Sequence, residues 1–258
     1  MLKNMNILVL MKQTPDTESR IRLNADNSAV DASDLKYIVN PYDEYAIEEA
    51  IKISEKTPGT TITLVSLGGQ NAKETIKKGL AVGATDAVLI SDSGVDVNCP
   101  FAVAGAIHSS VSKMKYDLIL TGMKAVDDDY ATVPTLVAGL LDLPIVTAIL
   151  KLTISPDGKT AEVEREGETG REVMLTNLPA IFTAQKGLNE PRYASLKGIM
   201  AAKKKEIREE AAASTQPKIK IVRLSSPPPR PSGKKIEGDF PANVKTLVQL
   251  LRNEAKVI

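Results

Sequence analysis

The sequence has no tryptophan, one cysteine and one histidine among its 258 residues. Cys99 cannot form an internal disulfide bond, and Cys99 with His108 cannot supply the four ligands of a structural zinc site. The three phenylalanines and six tyrosines are too few to predict an aromatic platform on which nucleic-acid bases stack. These shortages exclude a disulfide scaffold and argue against a metal site or nucleic acid as a partner.

An excess of charge and long apolar runs are also lacking. The formal net charge is +1, which gives no electrostatic reason to expect nucleic acid or an acidic membrane surface as a partner. No apolar run reaches the roughly 18 residues that suggest a transmembrane helix. The first residues lead directly into a strand-like pattern and contain no signal-peptide cleavage site. We therefore expect a cytoplasmic protein without direct membrane insertion.

What the chain does contain is an alternation of apolar runs and helical patterns. Each run is rich in branched residues, and each is followed by a polar or glycine-containing break and then by helical periodicity. The runs are Asn6–Met11, Thr61–Leu67, Ala87–Ser91 and Leu118–Thr121. This alternation predicts an α/β fold with a parallel sheet and crossover helices.

Two regions depart from that alternation. Residues Arg20–Ala29 contain turn-forming residues between short alternating segments, which predicts a hairpin at the sheet edge. Beyond Thr147, short alternating segments separated by turn signals predict an antiparallel extension of the sheet. These segments are Ile149–Ile154, Ala161–Glu166, Glu172–Thr176 and Ala180–Thr183.

The stretch Asp117–Thr147 has the pattern of a ligand site. Its apolar run breaks at Gly122, a polar loop follows, and helical periodicity resumes near Val133. In parallel sheets such a junction offers free backbone N–H groups and the positive end of a helix dipole, which suit a phosphate. The three acids of the loop, Asp127–Asp129, fit two interpretations: they cap the following helix, or they belong to the ligand site.

The segment Lys186–Met200 is polar but carries isolated large apolar residues. Loops that expose leucine commonly do so for a protein partner. The alternative is that Leu196, Ile199 and Met200 form one face of a short helix that packs on the core. The following Lys203, Lys204 and Lys205 are most simply explained as a solvated helix face.

The composition changes at Glu209. From there to Gly238 the chain is rich in Ala, Ser, Pro and Lys, which predicts an extended arm. Pro241 then begins a helix with an apolar face, which either contacts a partner subunit or packs back on its own domain. We therefore expect an α/β domain over residues 1–208 and an arm with a terminal helix over residues 209–258.

Six segments, taken in order, resemble the β subunits of the electron-transfer flavoproteins, and the resemblance covers almost the whole chain. Their order and spacing carry the resemblance, because no single segment is specific by itself. The segments are Met11–Asp16, Asn40–Asp43, Glu74–Ala84, Gly122–Asp129, Val163–Pro179 and Leu188–Leu196.

The resemblance implies a Rossmann-like adenine-nucleotide-binding domain, paired with a larger α subunit in a heterodimer. In this family the α subunit holds most of the redox-active FAD, and the β subunit usually buries an AMP with a structural role. Electrons pass from acyl-CoA dehydrogenases to a membrane-bound quinone oxidoreductase. Electron transfer between flavins depends on distance and orientation, so no catalytic residue is expected in this subunit.

The family resemblance also assigns residues to two sites. The AMP pocket would be lined by Leu10, Asn40, Pro41, Tyr42, Asp43, Leu67, Gly122, Met123, Lys124, Ala125, Val126, Asp127, Asp128, Asp129, Tyr130, Ala131, Thr132 and Val133. The phosphate donors would be the amides of Gly122 and of the helix start. The loop that recognises the dehydrogenase, anchored by Leu196, would comprise Arg192, Tyr193, Ala194, Ser195, Leu196, Lys197, Gly198, Ile199, Met200 and Ala201.

A branch of the same family performs electron bifurcation and places a second FAD, which oxidises NADH, in this pocket. In that branch the loop typically reads Asp-Gly-Asp followed by small residues. Here the corresponding residues are Asp127, Asp128, Asp129 and Tyr130. The additional carboxylate and the tyrosine would compete in charge and volume with a diphosphate, which favours AMP.

Overall fold

The computed structural model describes residues 3–230 and 232–258, which form two compact units that divide after Leu224. Met1 and Leu2 lie outside the described residues, as does Pro231 of the expected arm. Within the described ranges, no helix is both long enough and apolar enough to cross a membrane.

The first unit contains the β-strands and five of the described helices. The strands are β1 (Asn6–Leu10), β2 (Gln13–Pro15), β3 (Tyr37–Val39), β4 (Thr61–Gly68), β5 (Asp86–Ser91), β6 (Leu118–Gly122), β7 (Ile145–Ile154), β8 (Thr160–Gly167), β9 (Gly170–Asn177), β10 (Ile181–Ala184) and β11 (Arg208–Ala211). The helices are α1 (Pro41–Lys56), α2 (Ala72–Val82), α3 (Pro100–Val111), α4 (Val133–Leu141) and α5 (Leu196–Lys204).

The main sheet has nine strands in the order β11-β5-β4-β1-β6-β10-β7-β8-β9. All neighbours from β11 to β7 are parallel, whereas β7, β8 and β9 are antiparallel. The predicted parallel α/β fold with an antiparallel extension is therefore confirmed. One assignment was wrong: the segment Ala180–Thr183 belongs to β10, which lies between β6 and β7 and is parallel to both.

The predicted hairpin at Arg20–Ala29 is reduced to a single antiparallel bridge between Leu23 and Val30. Between them, the side chain of Asn24 accepts the N–H groups of Ser28 and Ala29, so a side chain closes the turn. The regular pairing next to this loop is the small antiparallel sheet of β2 and β3, which leads from the end of β1 to the start of α1.

The core has two layers, one on each face of the main sheet. Helices α1, α2 and α5 cover one face, where Ile47, Ile76 and Ala202 are buried. Helices α3 and α4 cover the other face with Ile107 and Val137. The parallel strands carry near-continuous apolar runs because both of their faces are covered. These runs explain why the strands could be predicted from the sequence.

The register places the ends of three strands at the same edge of the sheet. Leu10 at the end of β1 pairs with Val65 of β4 on one side and with Thr121 of β6 on the other. The chain visits β4 and β5 on one side of β1 before it crosses to β6 on the other side. Such a reversal of strand order opens a crevice at the carboxyl ends of the strands.

The segment expected to start an extended arm begins as part of the sheet. Residues Arg208–Ala211 form the edge strand β11, which pairs with β5. The second unit, residues 225–258, contains helix α6 (Ala242–Leu250), which continues into a π-helical turn at Leu251–Ala255.

Candidate functional site

A cleft lies at the crevice that the strand order predicts. It encloses about 890 Å³, including the part that is open to solvent. Its walls are mainly apolar and come from the ends of β1 and β4 and the starts of α3 and α4: Leu10, Met11, Val65, Leu67, Val97, Pro100, Val103, Ile107, Val133 and Pro134. Its polar part is formed by Lys12, Asn40, Asp43, Thr121, Lys124, Asp128, Tyr130 and Thr132. A cleft with apolar walls and one polar end suits a ligand that combines an aromatic ring with a polar group.

Asp43 holds the floor of the cleft together. Its side chain is buried in the first turn of α1, where one oxygen accepts the N–H of Lys12 at 2.7 Å and the other accepts the N–H of Gly122 at 2.8 Å. One carboxyl group therefore joins the ends of β1 and β6 to the start of α1. Burial raises the pKa of Asp43 to about 7, although the two backbone hydrogen bonds act in the opposite direction.

Gly122 is required by this packing. A Cβ atom at Gly122 would lie 2.7 Å from Cβ of Tyr42 and would collide with the carboxyl group of Asp43. Because the Gly122 N–H already donates to Asp43, it is not free to bind a phosphate. The expectation that this amide supplies a phosphate donor is therefore wrong, and the helix-start amides remain as candidates.

Asn40, which directly precedes α1, fixes the loop on the other side of the cleft. Its Nδ2 donates to the carbonyl oxygen of Lys124 at 2.9 Å, and its Oδ1 accepts the N–H of Val126 at 3.2 Å. An amide side chain can donate and accept at the same time, so one residue holds two backbone groups of the loop. Its side chain therefore tethers the start of α1 to the loop that follows β6.

Lys12 closes the same loop from the side of β1. Its Nζ lies 2.8 Å from Asp127 Oδ1 and 2.8 Å from Asp128 Oδ2. Burial lowers the pKa of Lys12, but hydrogen bonds to the two carboxylates outweigh it and the net shift is upward. Asp128 also accepts the N–H of Tyr130 at 3.0 Å, which sets the turn at the cleft mouth.

Asp129 pairs with a different lysine. Its carboxylate lies 2.9 Å from Lys124 Nζ, which is also 5.9 Å from the ring centre of Tyr42. The three aspartates thus pair with lysines. The interpretation that they cap the next helix is wrong, because α4 begins at Val133 and its N-cap residue is Thr132.

The start of α4 is left open to a ligand. Among the described residues, no side chain accepts a hydrogen bond as the cap of this helix, and Pro134 at its first turn has no N–H. Thr132 and Val133 both line the cleft, so the start of α4 and the positive end of its helix dipole lie at the cleft wall. Asp129 and Ala131 have φ values of 56° and 51°, so the loop has an unusual backbone shape.

Lys12→Met is expected to loosen this loop without unfolding the protein. The methionine keeps much of the apolar stem but leaves Asp127 and Asp128 without their cation, at a loss of about 1 kcal/mol or less for a half-exposed pair. Hydrogen exchange should accelerate several-fold for amides of residues 123–132 and stay unchanged in β4 and β5. Protection of the loop equal to that of the wild type would contradict the role of this bridge.

The structure brings most of the expected pocket residues to one cleft. Of the residues assigned from the family, those that line it are Leu10, Asn40, Asp43, Leu67, Gly122, Lys124, Ala125, Asp128, Tyr130, Ala131, Thr132 and Val133. The remaining six are not among the residues that line it: Pro41, Tyr42, Met123, Val126, Asp127 and Asp129.

Several lining residues were missed by the sequence reasoning. Lys12 was part of a resembling segment but had no assigned role, and the start of α3, with Pro100, Val103 and Ile107, was not placed at the cleft. The sequence did contain a signal for the start of α3. This helix follows the predicted strand β5, and the carboxyl ends of parallel strands meet at one edge of the sheet, where the cleft lies. Met11, Val65, Val97, Thr121 and Pro134 complete the missed set.

The second expected site forms a separate exposed feature. Ser195 caps α5 by accepting the N–H of Gly198, and helix α5 begins at Leu196. The side chains of Tyr193 and Leu196 are exposed, at 99% and 75%. A helix does form here, but the alternative that Leu196, Ile199 and Met200 pack on the core is wrong, because all three are exposed.

Arg192 fixes the start of this segment. Its guanidinium binds Glu48 at 2.9 Å and Glu55 at 2.5 Å, and Glu48 itself is buried in α1. Asn189 adds a hydrogen bond of 3.0 Å to Glu49. Bidentate pairs of this kind hold a defined geometry, so the exposed residues that follow are presented by a fixed base.

The fold and the cleft together define an α/β protein of the Rossmann-like class, with a ligand-sized crevice at the carboxyl edge of its parallel strands. Residues 28–215 match the model of the electron transfer flavoprotein domain family. The chain therefore belongs to the electron-transfer flavoprotein family, on the β-subunit side, and the role of that family is electron transfer.

Individual relatives support the same assignment along the full chain. The electron transfer flavoprotein subunit beta of Bacillus subtilis is 42% identical over 98% of this chain and 100% of the relative. The protein of the same name from Syntrophomonas wolfei is 40% identical over 98% of each chain. That of Mus musculus is 36% identical over 92% of this chain and 94% of its own.

Proposed function

We propose that the chain is the β subunit of a heterodimeric electron-transfer flavoprotein, which carries electrons from acyl-CoA dehydrogenases to a membrane-bound quinone oxidoreductase. The observation that carries the proposal is the family relationship over the whole chain, combined with the cleft at the strand ends. The partner of the heterodimer is the family's α subunit, which holds most of the FAD. The heterodimer is proposed to act in the cytoplasm.

The cleft fits AMP. The side chains of Val65, Leu67 and Val103 offer apolar walls for a flat purine ring, and the start of α4 offers amides for one phosphate group. Both lysines near the mouth are already paired with aspartates, so the site carries little free positive charge. With so little free positive charge, the site is better suited to a single phosphate group held by backbone amides than to the more negative diphosphate.

The FAD of the heterodimer supplies the redox chemistry, and the residues of this chain have a supporting role. Asp43 and Asn40 hold the floor and the loop of the cleft, and a bound AMP would fill the space between α3 and α4. Filling an apolar cleft in this way stabilises the folded subunit by mass action. The nucleotide is therefore a structural component in this account, and no residue of the chain is assigned a catalytic role.

Asp128→Gly with Tyr130→Thr is expected to let the cleft accept FAD. The change removes a carboxylate from the mouth and replaces a 49%-exposed tyrosine with a small residue, which opens room and lowers repulsion for a second phosphate. The measurement is the FAD content after refolding with excess FAD. Continued binding of AMP alone would show that these residues do not set the size of the ligand.

The direct test of the proposal is reduction of the heterodimer by an acyl-CoA dehydrogenase and its substrate. The flavin absorbance should bleach when both are present and recover when a quinone oxidoreductase and a quinone are added. NADH in place of the dehydrogenase should leave the flavin oxidised. Rapid reduction by NADH would instead support the bifurcating type of electron-transfer flavoprotein.

A further inference from the structure

The segment that follows β11 runs back along helix α3. Near the end of α3, the hydroxyl group of Ser110 donates a hydrogen bond of 2.6 Å to Glu210 in β11. Further along the segment, the backbone N–H of Lys218 donates to Sγ of Cys99 at 3.3 Å, directly before the start of α3. The chain therefore passes from the end of this helix to its beginning. We call residues 212–224 the strap.

The strap faces the domain with every third residue. Its half-buried residues are Ala212, Thr215, Ile221 and Leu224, and the others are exposed. Lys218 has the same spacing, and its Nζ lies 4.8 Å from the ring centre of Phe101 in α3. A period of three residues is that of a polyproline II helix, an extended conformation without internal hydrogen bonds. The strap is therefore an extended segment that presents one side to the domain.

The contact is closest at the middle of α3, where Gly105 faces Thr215. A Cβ atom on Gly105 would lie 2.5 Å from Oγ1 and 2.8 Å from Cγ2 of Thr215. Threonine is branched at Cβ and turns with difficulty to a different rotamer, so the strap itself would have to move. The glycine thus allows the strap to lie directly against the helix.

Helix α3 lies between the strap and the cleft. Pro100, Val103 and Ile107 of this helix line the cleft. Phe101 and Gly105, which contact the strap, lie on the roughly opposite side of the helix by their spacing. A force that holds the strap against α3 therefore also holds the cleft wall in place.

Helix α3 has little apolar anchorage of its own on the sheet. Its larger buried apolar residues are Ile107 and Val111. Three further buried residues are alanines, which bury little apolar area: Ala102, Ala104 and Ala106. Support from the strap is therefore a substantial part of what positions this wall.

We infer that the strap holds the α3 wall of the cleft in position and that its release sets the rate at which a bound nucleotide exchanges. The inference rests on the proposed function and adds the mechanism by which the nucleotide is retained. Among the described residues, two hydrogen bonds connect the strap to the domain, from the N–H groups of Lys218 and Leu224. A segment held in this way opens locally while the sheet stays folded. By linkage, a nucleotide in the cleft also favours the closed strap.

The experiment uses the purified heterodimer with bound AMP and the variant Gly105→Ala. Alanine is the better helix former, so α3 is retained, but its Cβ atom displaces the strap at Thr215. Exchange of bound AMP against isotope-labelled AMP should accelerate roughly tenfold. The reaction of Cys99 with N-ethylmaleimide should accelerate to a similar extent, because this buried thiol, the single cysteine of the chain, lies under the strap.

Two further variants check that displacement of the strap is the cause. Adding Thr215→Ala to Gly105→Ala removes the two closest atoms and should restore most of the slow exchange. The matched control is Gly139→Ala in α4, where a Cβ atom would meet no described atom within 4 Å. It should leave both rates unchanged.

Lys218→Ala tests the contact from the strap side and leaves α3 itself unaltered. It removes the cation over the ring of Phe101, so both rates should rise about threefold. Lys220→Ala, at a neighbouring exposed lysine of the strap, is its control and should have no effect.

The outcomes separate this inference from the proposed function. Faster labelling of Cys99 in Gly105→Ala with unchanged AMP exchange would overturn the inference and leave the proposed function intact. Unchanged rates of both reactions would overturn it as well. If the cleft held FAD in place of AMP, the proposed cofactor would be wrong. The inference would then stand if Gly105→Ala accelerated exchange of that FAD, and fail if it did not.

Discussion

Asp43→Ala is expected to lower the free energy of unfolding by about 3–5 kcal/mol, because it leaves two buried backbone donors without acceptors. The donors are the N–H groups of Lys12 and Gly122, which the carboxylate accepts at 2.7 and 2.8 Å. Their loss loosens the junction of β1, β6 and α1, so the subunit should also retain less nucleotide. Urea-induced unfolding measures the first effect, and nucleotide content after gel filtration measures the second.

Asp43→Asn is the matched control for this variant. The amide keeps the volume of the side chain and can accept one of the two N–H groups, so the expected loss is about half that of the alanine variant. If the alanine variant lost less than about 1 kcal/mol, the carboxyl group would not be what holds the cleft floor.

The same residue predicts a dependence of stability on pH. Its pKa is about 7 in the folded protein, compared with an ordinary value of 3.8. Between these two pH values the folded state binds one more proton than the unfolded state, so the stability from this group falls as the pH rises and becomes constant above about 7. Compared with Asp43→Asn, the wild type should lose up to about 1.4 kcal/mol per pH unit in this window.

Leu196→Ala is expected to reduce kcat/KM with an acyl-CoA dehydrogenase by roughly 10- to 100-fold, which is the usual effect of truncating an apolar anchor at an interface. The side chain is 75% exposed, so the substitution should change the unfolding free energy by less than about 0.5 kcal/mol. The FAD content should also stay constant. Stopped-flow reduction of the flavin measures the coupling step directly.

Leu175→Ala provides a control of the same residue type and nearly the same exposure, 74%, on the edge strand β9. It should leave the dehydrogenase kinetics unchanged. Equal effects of the two variants would mean that general loss of apolar surface explains the result. Unchanged kinetics for Leu196→Ala itself would remove the anchor role from this residue.

The sequence was informative where a local pattern determines the structure. Strands β1, β4, β5 and β6 were placed correctly because buried parallel strands appear as continuous apolar runs. The position of β10 was not predictable in the same way. A short apolar segment looks alike in either orientation, and its insertion between β6 and β7 depends on pairing with strands distant in sequence.

The site was predictable in outline but not in its charge pairing. The loop after β6 was located from its strand-to-helix pattern, yet the partner of Asp127 and Asp128 is Lys12, more than 110 residues earlier in the chain. An ion pair between residues so far apart in the chain cannot be predicted from a local sequence pattern. Likewise, the family resemblance assigned Asp43 only to the pocket lining, and only the fold shows that its two oxygens join two strands.

Helix α5 shows how a periodic pattern can mislead. Large apolar residues at helical spacing ordinarily mark the buried face of a helix. In α5 the buried face is formed by Gly198 and Ala202 instead, because the helix lies so close to α2 that only small residues fit. The large residues Leu196 and Met200 are therefore on the outside.

The central claim is that the cleft at the ends of β1, β4 and β6 holds a mononucleotide in a heterodimer that carries one flavin. Acid extraction of the purified heterodimer, followed by chromatography of the released nucleotides, tests this claim most directly. The expected result is one FAD and one AMP per heterodimer. Two FAD molecules per heterodimer, with no AMP, would contradict it.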